Sequence, residues 1–512
     1  MSPAFRGGEP ARPRDASAVI LSRSRGSGVE LFWVRRGQHL RFSAGCFAFP
    51  GGAVDPSDRT VPVEGASGEA AAAIVAAARE LFEETGVLLA RLPQPPDAKA
   101  LAGLRGALLK NERGFAQVLA DLAGRLDASD FAPAGRWLTP GSLPIRFDTR
   151  FFLCALPAGQ EATVWEGELA AGAWVSPGEA LARWSDGLAY LHPPILNALR
   201  AFSASESQVE LLERLRHPAH VTDHICERIE LQRGILTFPL ATCTLPPAAH
   251  TACFLVGTGQ MLVVDPGADD PAEQERLLRF LRALEAEGRR PVAIVVTHHH
   301  PDHLGGVAAL KQALGLPVWA HPQAVRHLGA IDRRLADGDV LRLSGELAME
   351  LLVLHTPGHA RDHVCLFEPR TRALLCGDLV SSLSSVFIDP PEGDLADYLA
   401  SLERLAALDP AALFPAHGDF VVGGKTKIEE QLRHRARREG RVLAALAEGP
   451  ATLAAVTRAA YDKIAEGLLP FAERSTFACL DKLRREQSVA VDGELYLLTT
   501  RGERDADRRA TR

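Results

Sequence analysis

The sequence predicts a multi-domain α/β protein, and three observations carry that prediction. The chain has 512 residues, more than one ordinary hydrophobic core serves, so two or three domains are expected. Apolar strand-like runs alternate with helical runs along most of it, as in layered α/β domains. Several apolar runs end directly in His or Asp, and sites in α/β sheets gather at the carboxyl ends of strands.

Composition narrows the function classes. Hydrophobic residues make up 46% and charged residues 24%, which fits a globular protein. The net charge of -7 argues against a generally basic nucleic-acid binder. The eight cysteines show no CxxC pairing and read as reduced thiols of a cytoplasmic protein. The start lacks the apolar core of a signal peptide. No run of about 18 apolar residues occurs, so no membrane span is expected.

Residues 1–15 are rich in Pro, Gly and Arg and are expected to be frayed. "SAVILSR" and "ELFWVRR" read as strands around a Gly-Ser turn, and "FAFPGGAVDP" as a strand entering a Gly/Pro turn. A helix is expected over 69–90, ending at Gly86, with one or two more over 98–124. "RFDTRFFLCALP" is a strand, "ELAAGAWVSPGEALARW" a strand, turn and helix, and a helix over 193–216 closes the first domain.

A second pattern starts near 217. "TACFLVG", "MLVVDPG" and "PVAIVVT" read as strands, with an amphipathic helix before the last. After a basic helix at 426–442, helices and a hairpin suggest a small winged-helix module. The expected domains are 16–205, a linker 206–216, 217–425, and 426–505.

"THHHPDHLGG" (297–306) concentrates ligand chemistry in one turn. His298 and His300 alternate, so in extended backbone they project the same way, and Asp302 and His303 follow at a helix start. These are ligands that Zn²⁺ and related ions accept, and a solvated His-rich turn is the simplest alternative. Asp265, His359, Asp378 and His417 each lie just past another apolar run, which disfavours that alternative. His299 and His363 are read as solvated or supporting imidazoles, with His363 able to orient a ligand.

The set resembles the metallo-β-lactamase superfamily, whose His-x-His-x-Asp-His motif is His298, His300, Asp302 and His303 here. The resemblance covers about 217–425 and implies an αββα sandwich with two Zn, Fe or Mn ions. It implies that His298, His300 and His359 hold one metal, Asp302, His303 and His417 the other, and that Asp378 bridges them. Such a pair activates water to attack a thioester, ester or phosphodiester. The tail resembles the branch with β-lactamase-like endoribonucleases, which implies single-stranded RNA as an alternative partner. Lys425, Lys427, Arg433, Arg435, Arg437, Arg438 and Arg441 are the candidate phosphate contacts, and a solvated helix face paired with Glu429, Glu430 and Glu439 is the alternative.

Upstream, Glu80, Glu83 and Glu84 of "RELFEETGV" share one helical face. Three carboxylates there repel unless a cation sits among them, and hard oxygen ligands suit Mg or Mn. With "FPGG" (49–52), the segment resembles the Nudix box, so an α/β/α sandwich is implied for the first domain. Arg36, Arg41 and Gly45 resemble the signature of coenzyme A diphosphatases, with Gly37 in place of a small Ser or Ala. This resemblance assigns Glu80, Glu83 and Glu84 to metal and Arg36, Arg41, Gly51 and Gly52 to the substrate. Glu83 and Glu84, with Asp302 in the other domain, are the candidate catalytic residues.

The box departs from the family where a Glu should precede Arg79 by eight positions: Ala71 stands there, and Glu69 is the expected substitute. A fourth carboxylate is expected from Glu166 or Glu168, and Arg79 is expected to tie helix to loop. The implied reaction is hydrolysis of a nucleoside diphosphate-X pyrophosphate such as coenzyme A or an acyl-coenzyme A. A Nudix fold that senses a ligand and controls the metallohydrolase is the alternative.

Overall fold

The computed structural model describes residues 11–26, 28–40, 43–141, 143, 145–165, 167–461 and 466–510. Most of the segment expected to be frayed, and Arg41 and Glu166, lie outside them. The chain divides into two compact units at residues 238 and 239. Among the described residues no helix is long and apolar enough to cross a membrane.

In the first unit the strand Arg14–Arg25 runs parallel to Phe147–Ala155 and antiparallel to Gly28–Arg36. Ala132–Leu138 extends the sheet beyond Phe147–Ala155, and Leu169–Val175 pairs with Gly28–Arg36. Successive strand residues point to opposite faces, and both faces here are apolar. Val19, Leu21, Phe32 and Val34 pack with Val75, Leu81 and Phe82 of the helix Gly68–Thr85. Ile20, Leu31, Trp33 and Phe151 pack with the helices Pro177–Ser185, Pro193–Ala204 and Gln208–Arg216. This is the expected layering of helix, sheet and helix. The helix Gly68–Thr85 stops where Gly86 adopts φ 75° and donates its N–H to the Phe82 carbonyl, a left-handed cap that glycine reaches without strain.

The boundary between units falls later than the sequence suggests. Residues 208–216, expected both as the end of a helix closing the first domain and as linker, form a helix whose Leu211 and Leu215 enter the first core. Ile225 pairs with Leu138, and Cys226 is buried in the same core. Short apolar stretches among charged residues carry too little periodicity to reveal this, and only the partner surface decides it.

The second unit stacks two sheets. One holds His250–Val256, Gln260–Val264, Arg290–Val296, Val318–Ala320 and Arg333–Arg334 in that order; the other runs from Val340–Leu343 through Met349–His355, Val364–Glu368, Ala373–Gly377 and Ala412–Pro415 to Val421–Val422. The helix Pro271–Ala286 turns Leu277, Leu281 and Leu284 inward. On the other sheet Leu374, Cys376 and Leu413 meet Tyr398 and Leu402 of the helix Leu395–Ala407.

The helix Gly424–Ala447 exceeds the expected 426–442 and buries Ile428, Val442, Leu443 and Leu446 in that same cluster. Helices Leu453–Ala460 and Leu469–Arg485 and the hairpin Val489–Asp492 with Leu495–Leu498 form the winged-helix module. Its Val456, Cys479, Leu480, Leu483 and Val489 belong to the same continuous core.

The late boundary is testable. Leu215→Ala is expected to destabilise the first unit by about 3 kcal/mol, read as a lower urea midpoint. Val209→Ala, on the same helix but 81% exposed, is expected to leave the midpoint unchanged.

Candidate functional site

In the second unit, strand ends deliver the predicted ligands to one place. The strand Arg290–Val296 runs into His298 and His300, and the one-turn helix Pro301–Leu304 carries Asp302 and His303. Asp378 follows Ala373–Gly377, and His417 follows Ala412–Pro415. Gly377 is obligatory at its turn: it has φ 47°, and a Cβ there would lie 2.6 Å from His363 Nε2.

Two donor groups result, His298, His300, His359 and Asp378 in one, Asp302, His303 and His417 in the other. His300 Nδ1 lies 3.0 Å from His298 Nε2 and 2.9 Å from His359 Nε2. A tetrahedron with metal–nitrogen distances of about 2.0–2.1 Å has edges of roughly 3.3 Å, so this spacing fits one ion. Asp378 Oδ2 is 3.5 Å from His359 Nε2 and 3.3 Å from His417 Nε2. His417 Nε2 is in turn 3.2 Å from Asp302 Oδ2. Asp378 therefore touches both groups. His303 Nε2 and Asp378 Oδ1 are buried 3.4 Å apart, and neither has a hydrogen-bond partner among the described residues. Two unsatisfied buried donors of this kind fit a shared cation.

The ring nitrogen facing away from the centre is held in four of these imidazoles. His298 Nδ1 meets Thr297 Oγ1 at 3.0 Å, His303 Nδ1 meets Asp265 Oδ2 at 2.9 Å, His359 Nδ1 meets the Phe387 carbonyl at 2.8 Å and His417 Nδ1 meets the His250 carbonyl at 3.1 Å. Such contacts fix ring orientation and raise ligand basicity. His363 is a supporting residue: its Nε2 accepts the Asp378 N–H at 3.1 Å, and its Nδ1 is 2.9 Å from Thr356 Oγ1.

Burial presses the pKa of His298 well down, and the neighbouring imidazoles add to this. His303 goes well up, because Asp378, Asp265 and Asp302 outweigh its burial. The carboxylates thus demand positive charge, from protons or from metal ions.

His299, Asp362 and Glu392 form a third group of ligand types. His299 Nδ1 faces Asp362 Oδ1 at 2.8 Å while Nε2, on the other side of the ring, faces Glu392 Oε1 at 3.8 Å.

In the first unit, Gly51 N–H donates to Glu84 Oε2 at 3.0 Å. A Cβ on Gly52 would sit 2.4 Å from Glu80 Oε1, so glycine there makes room for a carboxylate. Gly51 and Gly52, expected to bind substrate, thus contact two of the candidate metal carboxylates. Burial, then repulsion from Glu80, pushes the Glu84 carboxyl up to about 8. Burial likewise pushes Glu80 to about 7, and Arg79 opposes it. A divalent cation would relieve both. Arg36 lies near enough to Glu84 to favour its charged form, and Glu168 near enough to Glu83 and Glu84 to disfavour theirs.

The expected substitute for the missing glutamate is overturned. Glu69 is an exposed partner of Arg59. The helix already begins at Gly68, so Ala71 is roughly 12 Å along its axis from Arg79. Arg79 is instead held by Asp58, 1% exposed: Nε to Oδ1 at 2.8 Å and Nη2 to Oδ2 at 2.9 Å. The same guanidinium donates to Glu80 Oε1 at 2.8 Å and Glu83 Oε2 at 3.2 Å. Asp58 sits in the short 3-10 turn Pro56–Thr60, closed by a reciprocal cap with Asp55. The "DPSD" stretch carried that turn signal in the sequence. Arg105, also not foreseen, is buried and donates to the carbonyls of Glu83 and Glu84 at the helix C-terminus.

Three family models match the chain: the metallo-beta-lactamase superfamily over residues 246–417, the NUDT19 Nudix domain over 63–202, and the beta-lactamase associated winged helix domain over 452–496. "Lactamase-like protein adaB" of Aspergillus niger is 30% identical over 266 residues, 48% of this chain and 78% of that protein. The chain belongs to the metallo-β-lactamase superfamily. It joins that fold to a Nudix domain and a winged helix, and it is a metal-dependent hydrolase. The superfamily member "Atrochrysone carboxyl ACP thioesterase" of Aspergillus fumigatus is 28% identical over 198 residues, 38% of this chain and 59% of that protein. A NUDIX hydrolase structure from Alicyclobacillus acidocaldarius is 29% identical, with a TM-score of 0.36, and covers 40% of this chain and 97% of its own.

Asp58→Ala would remove the bidentate partner of Arg79 and leave it only Glu80 and Glu83. It is expected to cost about 1.5–3 kcal/mol, measured by urea unfolding. Glu69→Gln, at the exposed pair, is expected to change stability by less than about 0.5 kcal/mol.

Proposed function

We propose that the metallo-β-lactamase domain hydrolyses a thioester or ester at a dinuclear centre. We further propose that the Nudix domain hydrolyses a nucleoside diphosphate-X pyrophosphate, with coenzyme A or acyl-coenzyme A as the substrate class. The observation that carries the first reading is Asp378, one carboxylate within reach of both donor groups. His298, His300 and His359 would hold one ion, and Asp302, His303 and His417 the other. When bound, such a pair activates water and polarises the oxygen of the bond to be cleaved. Asp265, His363 and the Phe387 and His250 carbonyls keep the ligand set oriented before any ion arrives. The choice of thioester draws support from the relative named as an ACP thioesterase.

A phosphodiester in single-stranded RNA is the second reading, and two observations weaken it. Arg435 is buried, and Arg438 donates to the Ala460 carbonyl and lies 3.5 Å over the Tyr461 ring. Two of the seven basic side chains are thus engaged within the fold. Lys427 and Arg433 approach Glu430 and Glu429, as on a solvated face.

For the Nudix half, Glu80, Glu83 and Glu84 would hold Mg or Mn, with Glu168 as the fourth carboxylate. Arg79, anchored on Asp58, keeps Glu80 and Glu83 turned toward one another. That anchoring supports a catalytic domain over a ligand sensor despite Ala71.

Metal analysis of the full-length chain is expected to give about two equivalents of zinc, iron or manganese, with loss in His298→Ala. Mg-dependent turnover of coenzyme A is expected to disappear in Glu83→Gln and to persist in His298→Ala. Thioester hydrolysis is expected to show the opposite pattern. Coenzyme A turnover insensitive to Glu83→Gln would remove the Nudix assignment.

A further inference from the structure

The helix Gly424–Ala447 carries an arginine that does not behave as a surface charge. Arg435 is 9% exposed. Its Nη2 donates to the Val386 carbonyl, and its guanidinium lies 5.1 Å from the ring centroid of Tyr398. Tyr398 is fully buried, and its hydroxyl donates to the Leu379 carbonyl at 3.0 Å.

The two carbonyls at the ends of this connection have notable neighbours. Val386 precedes Phe387, whose carbonyl holds His359 Nδ1 at 2.8 Å. Leu379 follows Asp378, the carboxylate placed between the two donor groups. One guanidinium thus braces the backbone beside a ligand on each of two separate segments. A buried guanidinium is costly unless its charge and hydrogen bonds are met, and Arg435 Nε has no hydrogen-bond partner among the described residues. Leucine or methionine would fill the same core position without that cost. The planar fork can reach a backbone carbonyl while stacking on a ring, which neither apolar side chain can do.

We propose that Arg435 is a positioning residue for the metal centre. Through Val386 and Tyr398 it fixes the segment that orients His359 and the turn that presents Asp378, so that both face the same ion. The proposal rests on the dinuclear reading. It also gives the helix leading into the winged-helix module a structural task in the hydrolase domain.

The test is cobalt(II) binding by the full-length protein, stripped of metal, in a background carrying Glu80→Gln, Glu83→Gln and Glu84→Gln, which neutralises the three Nudix carboxylates. The visible ligand-field bands report the site, and four variants are compared. Arg435→Met is expected to weaken cobalt binding by about 10–100-fold, the range for losing an orienting contact. Arg435→Lys keeps charge without the fork and should fall between it and the parent. Tyr398→Phe keeps the ring, removes the hydroxyl, and should weaken binding in the same direction. Leu443→Ala opens the same core about two helical turns from Arg435 and removes no hydrogen bond to either segment; it should lower the melting temperature and leave cobalt affinity and bands unchanged.

Parent-like affinity and bands in a folded Arg435→Met would overturn the proposal. Should Arg435→Met fail to fold, Tyr398→Phe decides by the same criterion. A parent protein that binds no cobalt would instead remove the dinuclear reading itself, and the role of Arg435 with it.

Discussion

The second unit is organised around a carboxylate that cannot stand alone. Asp378 is enclosed at the end of the strand Ala373–Gly377, within 3.5 Å of imidazoles from three different segments. An isolated charge in such a place is strongly disfavoured. The fold answers with His303, His359 and His417 around the carboxylate and with a backbone N–H whose own acceptor is His363. Each imidazole is then held from behind. Two sheets, the one-turn helix Pro301–Leu304 and a glycine at 377 bring these polar groups to one point.

The first unit solves a related problem with other means. Glu80, Glu83 and Glu84 come from one helix, so the helix supplies their spacing and the surroundings must tolerate their charge. Arg79 does this for Glu80 and Glu83, and Asp58 does it for Arg79. Arg105 closes the last carbonyls of the same helix. In both units the polar cluster is therefore supported by contacts outside the residues that would meet an ion. Asp58 comes from the short turn Pro56–Thr60, whereas Arg105 comes from the helix Ala98–Leu109.

Among the described residues the winged-helix module shares its core with the second sheet: Leu480, Leu483 and Val489 lie in one cluster with Leu374, Cys376 and Tyr398. The helix Gly424–Ala447 joins them, with Glu439 and Lys482 buried as a pair 3.0 Å apart. A chain segment that looks basic and solvent-seeking in the sequence thus spends several of its charges inside the fold. The charges counted along a helix do not say which of them face water.

By itself the sequence determined the fold class of both units, the helix of Glu80, Glu83 and Glu84, and the set of ligand types at the strand ends. Those features are local: a period of two or 3.6 residues and a turn that follows a strand are written in neighbouring positions. Only the tertiary structure decided that Asp58 serves Arg79 in place of a glutamate on the helix. It alone decided that residues 217–226 belong with the first core and that Arg435 is buried against Tyr398 and the Val386 carbonyl. Each of these depends on a partner between 21 and about 90 residues away in the chain, with no periodicity to announce it. Long-range pairs are chosen by packing, where burial makes an unmet charge or apolar face costly, and that cost exists only once the two surfaces have met.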